Sequence, residues 1–75
     1  MTAFFNIMTL EEFKNSIYSI EKPSNWRDGQ FVFNTIDKLY KVARKVQFKN
    51  NIDCFYDDSK INQFIVACFN EINKN

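Results

Sequence analysis

The stretch Val32-Phe33-Asn34-Thr35-Ile36-Asp37-Lys38-Leu39-Tyr40-Lys41-Val42-Ala43-Arg44-Lys45-Val46 decides the fold class of this chain. Val32, Ile36, Leu39, Ala43 and Val46 recur at intervals of four, three, four and three, the step that gathers side chains on one face of an α-helix. Ala43, the smallest of the five, marks where a neighbouring helix can approach closely. The pattern predicts a helix over 25–47, and the periodicity admits either an unbroken rod or a break near Tyr40. Asn25 is a candidate cap for its start, with Asp28 three residues on as the acidic partner and at the positive end of the helix dipole.

Two more helices flank it. Thr9-Leu10-Glu11-Glu12 has the form of a capping box, in which the Thr9 hydroxyl accepts from the amide of Glu12 while the Glu12 carboxylate accepts from that of Thr9. Leu10, Phe13, Ile17 and Ile20 then follow at helical spacing, so a helix is predicted over 9–20, closed by Pro23 and Ser24. Asn50-Asn51 reads as a turn. Beyond it Asp57, Asp58 or Ser59 can cap a helix over 58–73 carrying Ile61, Phe64, Ile65, Cys68 and Ile72. Residues 1–8 form an N-terminal extension whose Phe4, Phe5 and Ile7 can still pack on the bundle. The expected fold is all-α: one domain over 1–75, a compact bundle of three helices, or four if the second breaks, with an ordered loop before the last.

Composition narrows the chemistry. A 75-residue chain buries only about 60% of its unfolded surface, enough for one small core. Aromatics are 17% of the residues, nine of them Phe, so either the core is aromatic or some rings face a partner. The single Gly and single Pro are too few to punctuate a β-sandwich or barrel. There is no His, which takes away the commonest general base and transition-metal ligand. Cys54 and Cys68 read as reduced core residues in a cytoplasmic protein, since Met1 to Leu10 lacks the basic region and cleavage site of a secretion signal. No apolar run approaches the roughly 18 residues that would cross a bilayer.

Two strings concentrate the residues that are otherwise scarce: Trp26-Arg27-Asp28-Gly29-Gln30 with Asn34, and Asp53-Cys54-Phe55-Tyr56-Asp57-Asp58. Arg27, Gln30 and Asn34 are spaced three and four apart and suit either a ligand or an internal clasp. The clasp is the expected reading: the three side chains donate to carbonyls of the 53–57 loop and to Asp53 or Asp57, because a loop tucked against helices must satisfy its backbone. Gly29 inside a helix costs about 1 kcal/mol relative to Ala, which implies a close approach by a backbone or ring, with Trp26 as its lid. Phe55 and Tyr56 complete the clasp. Asp53, Asp57 and Asp58 lack the spacing and the glycine of a calcium loop, and capping explains them without a metal.

Charge is unevenly spread. Lys38, Lys41, Arg44, Lys45 and Lys49 put five cations and no acid into 38–49, whereas the net charge of the whole chain is +1. On a continuous helix Lys38, Lys41 and Lys45 form one ridge with Arg44 beside it. It is either a solvated face or a grip for phosphates or an acidic protein surface.

The pattern Trp26-Arg27-x-Gly29-Gln30-x-x-x-Asn34 with Asp53-x-Phe55-Tyr56-Asp57-Asp58, Ile61 and Phe64 resembles a group of small phage and prophage proteins of uncharacterised activity. Leu10 to Phe13 resembles that group's opening, so the similarity spans about residues 9–66. The chain departs from the group at Cys54, where Pro is frequent, and at Tyr40-Lys41, where Pro often breaks the helix. The resemblance implies phage origin and a compact helical fold, and it supplies no catalytic residue. A/T-rich codons, those of Asn, Lys, Phe and Ile, encode 35 of the 75 residues, which points the same way.

The expected function is therefore non-catalytic: an interaction protein, without cofactor or metal, that binds a host protein complex such as a defence system in the host cytoplasm. Lys38, Lys41, Arg44 and Lys45 are the candidate partner contacts. Nucleic-acid binding through the same ridge is the alternative, and homodimerisation would complete a marginal core.

Overall fold

The computed structural model describes residues 8–73; the extension carrying Phe4, Phe5 and Ile7 lies outside the described residues. Helices α1 (Leu10–Tyr18), α2 (Asp28–Tyr40), α3 (Ala43–Asn50) and α4 (Ile61–Ile72) follow in order, with a 3-10 turn at Asp58–Lys60 leading into α4. The fold is an all-α bundle, and among the described residues there is no strand.

α1 opens on the capping box: Glu12 N donates to Thr9 Oγ1 at 3.1 Å and Thr9 N to Glu12 Oε1 at 2.9 Å. It stops at Tyr18, two residues short of expectation. Ser16 and Ser19 turn their hydroxyls back onto carbonyls of Phe13 and Ser16, at 2.7 and 3.1 Å, and such bonds compete with the next helical turn. Ile20 consequently leaves the apolar stripe; Phe13 and Ile17 are the fully buried residues of α1, with Leu10 partly buried against the core.

The second segment is broken. Lys41 adopts the left-handed conformation, φ 62° and ψ 29°, and its amide donates to Asp37 O at 3.0 Å, which closes α2 without glycine or proline. A rod over 25–47 would be about 34 Å long, with Leu39 on its buried stripe. With the chain turned at Lys41, Leu39 is instead 42% exposed. Tyr40 takes its place, its ring 5.1 Å from that of Phe13 and its hydroxyl 2.6 Å from Ser16 Oγ. α3 then carries Ala43 and Val46 back into the core.

Four helices converge on Phe13, Ile17, Phe31, Val32, Ile36 and Phe64, with Cys54 added by the loop that precedes α4. The Phe33 and Phe64 rings stack at 5.3 Å, a contact that bonds α2 to α4 beyond their area burial. Asn51 ends α3 in the left-handed region at φ 56°, the turn expected at Asn50-Asn51. Among the described residues no helix is long and apolar enough to cross a membrane.

Candidate functional site

The two residue-rich strings meet at the start of α2. That start lies at Asp28, with Arg27 rather than Asn25 at the cap position. Arg27 has extended backbone, ψ 162°, and no side-chain cap bond, so the first-turn amides need another acceptor. Asp58 supplies it from the far side of the sequence: its Oδ1 accepts from Gly29 N at 2.9 Å. Gly29 faces the loop so closely that a Cβ there would collide with the Cys54 carbonyl oxygen and lie 2.7 Å from Asp58 Oδ1. The close approach is thus made by backbone, while Trp26 is half-buried and packs on the edge of the core. In return the Cys54 thiol donates to Gly29 O at 3.3 Å.

Arg27 donates to the carbonyl of Phe55, stands 3.9 Å from Asp58 Oδ1 and lies 6.0 Å over the Tyr56 ring. Other parts of the expected clasp are arranged differently. Gln30 and Asn34 make no side-chain hydrogen bond to the loop among the described residues, because with the helix starting at Asp28 the 27/30/34 spacing no longer defines one face. Asp53 is held by Gln47 Nε2 at 2.7 Å and accepts from Phe55 N at 2.8 Å, forming an Asx turn without Arg27. Asp57 accepts from Ser59 N and Oγ at 3.0 and 2.6 Å, and these bonds hold its carboxyl below the usual range. Asp58, the acid that joins loop to helix, was not among the expected clasp residues. Its adjacency to a helix start invited a local capping role that Asp57 fills.

Burial pushes both the Cys54 and the Cys68 thiol up to about 12, so at neutral pH each is a protonated thiol and a poor nucleophile. What this assembly does is hold a loop. Arg27→Ala is expected to cost about 1–2 kcal/mol, since a charge-assisted bond and a ring contact are lost at a half-exposed site. A thermal melt checks this, and Arg27→Lys, which keeps charge but not fork geometry, should recover only part.

The basic segment is divided by the break at Lys41, so Lys38, Lys41 and Lys45 do not share a helical ridge. Lys38 and Lys41 are exposed at the end of α2. On α3, Arg44 Nε lies 3.7 Å from Asp37 Oδ2. Lys45 Nζ and Lys49 Nζ lie 2.8 and 3.4 Å from the two oxygens of Glu71 on α4, a side chain only 9% exposed. Two carboxylates thus stand among five cations and leave a local excess of three positive charges.

Between these pinned cations, on the outer face of α3, Phe48 is 92% exposed. Phe48 is not among the candidate contacts expected from the charge pattern, yet its phase marks it: it is two residues beyond Val46 and five beyond Ala43, out of step with the buried stripe. No family model, no curated protein and no solved structure matches this chain.

Proposed function

We propose that this protein is a small, phage-encoded binding module that acts without catalysis, occluding a surface of a larger host protein through the corner formed by α2 and α3. The exposure of Phe48 carries the reading. A phenylalanine ring standing this far out of the surface offers an aromatic anchor, the side-chain type enriched at the centre of protein interfaces. Arg44 on one flank and Lys45 and Lys49 on the other are steadied by Asp37 and Glu71, which gives the ring a polar rim of the kind that surrounds an interface anchor. Lys38 and Lys41 add attraction toward an acidic surface at longer range.

Phe48→Ala is expected to leave the melting temperature within about 3 °C of wild type, because the ring packs on little. It should weaken partner binding by about 30-fold or more, the loss of one anchor side chain. Capture from host lysate with wild type and variant in parallel, followed by calorimetry on the protein recovered, tests both. Equal capture by the two would sink the proposal.

The nucleic-acid reading draws support from the same ring, since an aromatic among cations can stack a base. The two carboxylates weigh against it. With an excess of about three charges, binding to a single strand should follow salt with a log–log slope near −2 and be abolished by charge reversal at Lys41 and Lys45. Titration of an oligothymidylate at two salt concentrations separates the readings.

A further inference from the structure

The rod that the apolar stripe predicts and the bent chain of the fold differ at one residue. Of the described residues between Asp28 and Asn50, Lys41 alone has a positive φ, 62°, while Val42, at φ −116° and ψ −6°, is right-handed. Lysine has neither the freedom of glycine nor the short polar side chain of asparagine, which ease the left-handed conformation. Turning Lys41 into the right-handed region makes α2 and α3 one helix.

The rod satisfies groups that the bend leaves open. The first amides of α3, to which Val42 offers no side-chain acceptor, would pair with the last carbonyls of α2. Leu39, 42% exposed although its stripe neighbours Ile36 and Ala43 are fully buried, would rejoin a continuous apolar face. The rest of the bundle opposes it in a single chain. A straight α2 and α3 carry residues 43–73 away from residues 8–40. The chain then loses what joins its halves: the Phe33–Phe64 stack, the Phe13–Phe69 contact, and the bonds of Gly29 to Asp58 and Arg27 to Phe55.

A second copy restores them. We infer that the chain straightens at Lys41 and exchanges α3 and α4 with a second copy, giving a two-fold dimer in which each bundle combines residues 8–40 of one copy with residues 43–73 of the other. A strained hinge as short as Lys41-Val42 is the setting that invites such exchange. Each half moves with its internal contacts intact: Tyr40 stays with Phe13 and Ser16, and Glu71 stays with Lys45 and Lys49. The crossing of the two rods is the new contact. Leu39 lies beside it and meets its counterpart, as do the exposed Lys38 and Lys41, whose mutual repulsion salt screens. Lost freedom of the second chain keeps the monomer favoured in dilute solution. The exchange carries two Phe48 corners on one particle, and it does not depend on what that corner binds.

The test is light scattering on the full chain at micromolar and millimolar concentration, together with isotope-filtered NMR on a sample refolded from equal parts of labelled and unlabelled chain. The expected result is a dimer that grows with concentration and with salt, and that shows cross-peaks between the Phe33 ring of one copy and the Phe64 ring of the other. Lys41→Gly frees the left-handed conformation and disfavours the helix, so it should lower the association constant about tenfold or more, even though it removes a repelling charge. Lys41→Val, whose branched side chain resists the left-handed region, should raise it about threefold or more. Phe48→Ala should change it less than about twofold, because that ring lies away from the crossing. A monomer at every concentration overturns the inference. So does a dimer without Phe33–Phe64 peaks between copies, one that Lys41→Gly leaves unchanged, or one that Phe48→Ala abolishes.

Discussion

Gly29→Ala is expected to lower the melting temperature by roughly 12–24 °C, the equivalent of about 3 kcal/mol in a domain of this size. Helix propensity alone gives the opposite sign, because alanine inside a helix is favoured over glycine by about 1 kcal/mol. Space decides against it. Gly29 has an ordinary helical backbone, with no positive φ, so it is needed for lack of a side chain and not for conformational freedom. An added methyl would meet the Cys54 carbonyl, which is backbone and cannot swing aside, and would press on Asp58 Oδ1. Relief requires the 53–58 loop to withdraw. That movement also forfeits the Gly29 N to Asp58 bond, the Cys54 thiol to Gly29 O bond and the Arg27 to Phe55 carbonyl bond. A circular-dichroism melt reads the outcome directly, and a melting temperature equal to or above wild type would show that the loop is not pressed on α2.

Phe13→Ala carries the other large effect, a loss of about 3–5 kcal/mol. A domain of this length has about 4–11 kcal/mol in total, so the variant should be partly unfolded at ambient temperature. The Phe13 side chain is fully buried, with ring centroids 5.1 Å from Tyr40 and 5.9 Å from Phe69; it ties α1 to the end of α2 and to α4. α1 has nine residues, too few to be helical alone in water. Ile17 is its only other fully buried anchor. Urea denaturation should therefore show the loss in midpoint, and amide exchange should show α1 opening first. Phe13→Leu, which keeps most of the volume, should cost less than about 1.5 kcal/mol. A small loss for the alanine variant with α1 amides still protected would mean that the helix is held by its cap and Ile17.

Local patterns led far in this chain where one interaction of short range governs the outcome. Thr9 and Glu12 are three residues apart and form their capping box wherever the helix goes. Asn50-Asn51 turns the chain because asparagine tolerates the left-handed region, as Asn51 shows. The packing of Phe64, Ile65 and Cys68 follows from a helical period that no neighbour overrides. The start of α2 followed a different rule. Asn25 and Asp28 satisfied every local criterion for a cap, yet the helix begins three residues later, because the Asp58 carboxylate arrives at the Gly29 amide from 29 positions away. Once Arg27 is outside the helix, Gln30 and Asn34 no longer align with it, and the clasp is made from Arg27, Gly29, Cys54, Phe55 and Asp58.

The basic segment shows the same division. Its five cations are plain in the sequence, and so is the off-phase position of Phe48. A ridge required a continuous helix, and the turn at Lys41 abolished it by exchanging Leu39 for Tyr40 in the core. The pairing of Lys45 and Lys49 with Glu71 joins positions more than twenty residues apart, out of reach of any spacing rule.

Residue type and a period of 3.6 suffice for the all-α class, the capped start of α1, the apolar face of α4 and the scarcity of catalytic groups. Where α2 begins, its end at Lys41, the acid that binds Gly29 and the carboxylate that pins Lys45 and Lys49 beside Phe48 were settled in three dimensions. Those outcomes depend on backbone and side-chain groups brought together from distant positions, where space and hydrogen-bond satisfaction across the bundle outweigh local preference.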